Sequence, residues 1–265
     1  MHKVNKFFRI MKVYIMLGWK DGTEYRKDLL INLVDFLVNI IMTIVFWTTL
    51  FHNDITFSNW EIKDLVILSI LANVSRSFSE VFAGSWQIPE KVISGEIDKH
   101  LCRPTFSLLA LVMESSQLDE LLKGIIGAMI SFFTAFMIYE YNISIVSIVL
   151  SFFSLIVGIF LITAFRILIS LLSFWFGEIG IFESLLHIED FKFERYPVEV
   201  YQKFKFIFFY IIPISYIATV PAGLLLKKAE YNKYIIIEVI VFLIFSLLIR
   251  KVYKIGLSKY ESAGG

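Results

Sequence analysis

One cysteine in 265 residues, Cys102, leaves this chain unable to form an internal disulfide, and a spectator thiol is its expected role. Resident metal chemistry is equally unsupported. The four histidines, His2, His52, His100 and His187, are scattered, and neither an HExxH pair nor a paired-cysteine spacing occurs. A GxxxxGK[ST] phosphate loop is missing, so the chain is not expected to be a P-loop ATPase itself. No GxSxG places a serine as a nucleophile, and an enzyme is not expected. The opening residues spread their basic groups and offer no small-residue cleavage site, which argues against a cleaved signal peptide. Scarcest of all are long polar stretches; charged residues are 18% of the chain, and no sizeable soluble domain is expected beside the apolar runs.

The chain is instead 57% hydrophobic, with 27 phenylalanines. A hydrocarbon core of about 30 Å needs about 20 helical residues. Leu29–Phe51, Ile62–Phe82, Leu121–Tyr139, Ile143–Phe165 and Tyr234–Ile249 are all near that length. The expectation is an all-α polytopic membrane protein with six transmembrane helices, an N-terminal interfacial helix and a Pro-kinked re-entrant outer segment. Residues 1–28 read as an amphipathic cytoplasmic helix, because Lys3, Lys6, Arg9 and Lys12 recur beside an apolar side of Phe7, Phe8, Met11, Tyr14 and Ile15. Residues 29–265 form the membrane domain.

The formal charge of +1 hides a local bias. Seven Lys/Arg fall in the first 28 residues, three in Gly84–Thr105 and four from Arg250 onward, whereas His52–Trp60 and Glu140–Asn142 hold none. The positive-inside rule then places both termini and the Gly84–Thr105 loop in the cytoplasm. Ser58 is a plausible N-cap for the second span. The tight turn at Tyr139–Asn142 predicts that spans three and four pair as an antiparallel hairpin.

Two segments compete for the fifth crossing. Ile143–Leu186 is too long for one span, because its 44 residues would reach about 66 Å as a helix. Mid-bilayer arginine is costly, so a turn is expected near Arg166, with Ile167–Leu186 going outward as the fifth span. Phe204–Leu226, interrupted by Pro213 and Pro221, would then enter and leave on the outer side. Alternatively Phe204–Leu226 is the fifth crossing and Ile167–Leu186 lies along the inner face, which puts the basic Lys192–Lys205 inside.

Polar residues also interrupt the spans. Asn32, Asp35 and Asn39 share one face of the first helix; Asn73, Arg76 and Glu80 repeat that spacing in the second. Asp35 and Arg76 fall at similar depth and could pair, either as inter-helix glue or as an ion or substrate site, with Glu80 beside them. An ion-coupled secondary transporter using these charges is the alternative functional reading. Glu178 and Glu183 lie in the contested fifth segment.

Three ordered stretches carry a resemblance. VISGEIDKHLCRPTF (Val92–Phe106) is similar to the I-x-G-x-[LI]-D-x-x-L-x-R-P signature of type-2 ATP-binding-cassette (ABC) exporter permeases, in the branch of small six-span subunits. Ile93, Gly95, Ile97, Asp98, Leu101, Arg103 and Pro104 fall on the pattern, and Cys102 stands where an apolar residue is more usual. Tyr196, Pro197, Ile211, Ile212, Pro213 and Pro221 follow in family order, and GLSKYESAGG resembles that branch's C-terminus. Glu24-Tyr25-Arg26 and Asn59-Trp60 are weaker echoes.

The resemblance implies a permease subunit of an ABC exporter in the bacterial cytoplasmic (inner) membrane, multi-pass, moving an amphipathic small molecule or peptide outward. It implies a second permease copy or paralogue, making a dimer, and a cytoplasmic ABC ATPase subunit that would bind the ATP and magnesium. No cofactor is expected in this chain, and its other contacts are membrane lipid, not nucleic acid. Loop 92–106 would be the coupling element. Asp98 and Arg103 would make its polar contacts, Ile97 and Leu101 its apolar anchors, and Gly95 and Pro104 would bound its short helix. Pro213 and Pro221 would belong to an outer gate.

Overall fold

A computed structural model describes residues 26–52, 57, 59–102, 107–114, 118–177 and 180–261. It is 82% helix, and among the described residues no β-strand forms. Residues 1–25 of the expected interfacial helix lie outside the described residues. The long helices are α1 (Arg26–His52), α2 (Ile62–Ser79), α6 (Leu118–Ile138), α7 (Ile145–Ser170) and α12 (Asn232–Leu257). Short helices complete the chain: α3 (Ile88–Ile93), α4 (Asp98–Leu101), α5 (Ser107–Met113), α8 (Ser173–Phe176), α9 (Gly180–Leu186), α10 (Lys205–Tyr210) and α11 (Thr219–Leu225).

Helix α2 is the central post. Every residue from Asp64 to Ala72 is buried, so it has no solvent or lipid face over that length. Its N-terminus is closed by Glu61, not by the expected Ser58: Glu61 and Asp64 satisfy each other's backbone N–H groups in a reciprocal cap. The outer helices show the opposite pattern. Ile31, Val34, Val38, Ile41 and Val45 stand exposed along α1, as do Met129, Phe133, Phe136 and Met137 on α6 and Ile236, Ile240, Leu243 and Leu247 on α12. Apolar faces this continuous match a hydrocarbon surround, and this is a membrane protein.

On length and composition Ile62–Ile93 and Ile145–Phe176 can each cross a bilayer, with Val198–Tyr210 and Ile214–Leu225, bent by 94°, as a third candidate among the described residues. The sequence expectation was six crossings. The expected hairpin of spans three and four is not packed as one. α6 leans on α2 and α1, whereas α7 packs on α12, α11 and α2. The central post takes up contacts that the two neighbours would have made with each other.

The turn expected at Arg166 is also absent. α7 runs on to Ser170, and Arg166, 1% exposed, places its guanidinium 5.3 Å from the centre of the Trp86 ring. A charge covered by an aromatic face need not end its helix. Ile167–Leu186 is not one helix: Leu171–Leu172 turn, and Gly177 adopts a left-handed φ of 64° before α9. Of the two prolines in 204–226, only Pro213 sits at the bend. Pro221 is the third residue of α11, in the first turn, where its missing N–H leaves no helical bond unmade.

The bend reaches the middle of the bundle. Ser75 Oγ donates to the Ile217 carbonyl, and a Cβ on Gly158 would overlap the Tyr216 carbonyl, so α7 admits the bend only with glycine there. Both ends of the bent segment return to the same end of the molecule. Glu199 accepts from Trp60 Nε1 at 3.2 Å and from the Tyr231 hydroxyl at 2.7 Å, while Lys228 pairs with Asp64 at 2.8 Å.

Candidate functional site: a stapled tip and a clasp

The tip starts where α3 stops. Gly95, at φ 77°, takes a conformation that L side chains rarely adopt, and the reversal lets the Ile97 N–H reach back to the Lys91 carbonyl at 3.0 Å. Ile97 is then fully buried, in a small cluster with Ile88, Val92, Leu111, Val112, Leu171 and Phe174. Leu101, Leu257 and Tyr260 pack against that cluster. Two stretches of the resemblance, the loop and the C-terminal Gly-Leu-x-x-Tyr, therefore meet in one place. Asp98 faces the Tyr260 hydroxyl; burial and then that carboxylate push the phenol up.

Polar contacts staple the tip from outside the motif. Glu114, just after α5, accepts from Lys91 Nζ at 2.6 Å, Lys99 Nζ at 3.1 Å and His100 Nε2 at 3.1 Å. Burial raises the Glu114 carboxyl, but the hydrogen bonds from Lys91 and Lys99 outweigh it and hold the group at about 2. Burial lowers His100 against the pull of Glu114. A carboxylate only accepts, so Nε2 carries the imidazole proton in this contact.

Ile97, expected to anchor a partner, thus anchors the tip to its own chain. The groups that face outward are Glu90, Ile93, Ser94, Glu96, Lys99 and Cys102, with Ile93 47% exposed. Arg103 and Pro104 lie outside the described residues.

The expected intramembrane polar set is partly assembled. Arg76 and Glu80 line a cavity of about 330 Å³ with Ser77, Trp86 and Glu120. Glu120 is held by Lys123 at 2.6 Å, a pair that the sequence reading passed over. Asp35 is on α1, but its side chain, like those of Glu178 and Glu183, lies outside the described residues. Another missed group is Glu238 in α12, fully buried and accepting from Ser154 Oγ at 2.7 Å. The staple residues were invisible in sequence because Glu114 and Lys91 are 23 positions apart and share no periodicity.

At the opposite end the clasp of Trp60, Glu199, Tyr231 and Lys228 joins the α1–α2 connection to both ends of the bent segment. Lys228 Nζ lies 4.8 Å from the centre of the Trp60 ring, and Trp60 is 3% exposed. Pro213 lies at the bend and Pro221 in the helix that follows it.

An all-helical apolar bundle with a stapled turn at one end and a proline-bent segment clasped at the other is the frame of a transport membrane subunit. Residues 37–264 match the family described as ABC-2 family transporter protein, and the chain belongs to that family. No curated protein and no solved structure matches it.

Proposed function

We propose that this chain is the permease subunit of an ABC exporter that moves an amphipathic small molecule or peptide outward with ATP hydrolysed by a separate subunit. The observation that carries the reading is the stapled tip. It is a short turn fixed by a glycine, a buried isoleucine and a carboxylate held by two lysines and a histidine, and it presents one large apolar side chain, Ile93, among charges. A rigid knob of this kind can dock in a groove of a cytoplasmic ATPase and pass a push to the helices behind it. The family membership supports the same partner.

In this reading the tip faces the cytoplasm, as do both termini, and the clasp faces outward. The segment 198–225 is re-entrant: its two ends share the outer clasp, and its bend lies against Ser75 in the last third of α2 and Gly158 midway along α7. ATP binding by the partner moves the tip, and two permease copies rock between inward- and outward-facing arrangements, with the re-entrant arms around Pro213 and Pro221 as the outer gate. Only an interaction that differs between the two states can drive that motion, and docking at the tip supplies one.

The test is affinity purification of the chain from mildly solubilised native membranes, with mass spectrometry of what accompanies it. An ATPase subunit that co-purifies with the wild type and is lost with Asp98→Ala/Arg103→Ala supports the reading. An assembly without any ATPase overturns it and favours ion coupling through Asp35, Arg76 and Glu80.

A further inference from the structure

A second, larger cavity of about 600 Å³ opens between α1 and the chain at 191–196. Its volume is in the range of a drug-sized ligand. Asn39, Trp47, Ser69 and Tyr196 form part of its wall, and Lys192 and Arg195 add two positive charges. Among the described residues the lining holds no carboxylate, and neither cation forms an ion pair there.

The depth of Arg195 is what needs explaining. Arg195 donates to Asn73 Oδ1 at 3.2 Å. Asn73 is 11 residues past Ile62, about 17 Å along α2 at roughly 1.5 Å per residue, near the middle of a core of about 30 Å. Cations at such depth are costly unless they meet a counter-charge or water. Lys192 moreover holds a left-handed backbone, φ 55°, a conformation that disfavours any residue with a Cβ. The aromatic wall is equally ordered: Trp47 donates to Ser69 Oγ at 3.0 Å and meets Tyr196 edge-on at 5.7 Å between ring centres.

We infer that this cavity binds an amphiphile with an anionic, phosphate- or carboxylate-type headgroup, the headgroup on Lys192 and Arg195 and the apolar body along Phe46, Trp47 and Tyr196. The inference rests on the transport reading for what the occupant is for, but not for its binding. Two sources share the chemistry, a bilayer phospholipid and a single-chain amphiphile arriving from water.

The experiment uses the full chain alone in phosphatidylcholine nanodiscs and follows tryptophan quenching by chain-brominated probes. These are dodecyl phosphate, its uncharged maltoside, its trimethylammonium analogue and, built into the disc, brominated phosphatidylglycerol. Saturable quenching by a phosphate probe is expected, lost in Trp47→Phe and at least tenfold weaker in Lys192→Gln and in Arg195→Gln, with Arg195→Lys restoring most of it. Lys192→Gln keeps the test readable if loss of the Asn73 contact unfolds the Arg195 variant. Quenching by phosphatidylglycerol alone assigns the site to lipid, and by dodecyl phosphate to an amphiphile delivered from water; either supports the site. Equal quenching by anionic, neutral and cationic probes, or indifference to Lys192→Gln, overturns it. Such a failure beside a co-purifying ATPase removes the cavity and leaves the exporter reading intact; binding without an ATPase does the reverse.

Discussion

Ile93 is the side chain on which docking at the tip turns, because it is exposed where its neighbours Val92 and Ile97 are buried. Burying one such side chain against a partner is worth about 1.5–3 kcal/mol. Ile93→Asp should therefore weaken ATPase association at least tenfold, read by quantitative co-purification, without altering the thermal midpoint of the isolated chain. Ile97→Asp should do the contrary and destabilise the chain itself. Glu114→Gln removes the shared acceptor of Lys91, Lys99 and His100, and should cost about 1–2 kcal/mol once its partial exposure is discounted. The pH dependence follows from the same group. With its carboxyl held at about 2 against an ordinary 4.5, the folded state binds fewer protons than the unfolded one in that interval. The stabilisation is complete above about 4.5 and is lost as pH falls toward 2. His100, lowered by burial, subtracts stability once pH drops below its ordinary 6.5. Hydrogen exchange at residues 97–101 should accelerate through those windows, and Glu114→Gln should flatten the lower one.

Among the elements, α1, α2 and α6 were legible because an apolar run of span length bounded by charge is a local property. The glycine-bounded turn at the tip was legible only through the resemblance carried by 92–106. What could not be read was who packs on whom. A tight turn at 139–142 suggested that α6 and α7 pair, but α2 is buried on every side from Asp64 to Ala72 and draws both of them. Arg166 read as a boundary because its shield, Trp86, lies 80 residues earlier. Pro221 read as a kink because nothing local distinguishes a first-turn proline from an interior one. Gly158, an ordinary small residue in an apolar run, turns out to set how closely the bent segment approaches. Gly158→Ala should push the Tyr216 carbonyl away and lower stability by about 1–3 kcal/mol, measured as a drop in the detergent thermal midpoint. A substitution at Gly177, where an added Cβ meets nothing within 4 Å, is no control, because its positive φ brings strain of its own.

For the whole molecule, the proposed sidedness makes a simple demand. Cys102, exposed at the tip, should react with a membrane-impermeant maleimide in inverted vesicles and stay unlabelled in intact cells. In a Cys102→Ser background, Glu230→Cys beside the clasp should show the reverse. Labelling of both from one side would overturn the assignment of tip and clasp to opposite faces. Between those faces, the staple has a mechanical consequence. Lys91 belongs to the run that continues α2, whereas Glu114 belongs to the connection leading into α6. A load applied at the tip is therefore divided between two beams, one of them the central post. Because the two are joined by an ion pair and not by peptide, the joint can stretch or release under torque, so that the tip acts as a clutch between them.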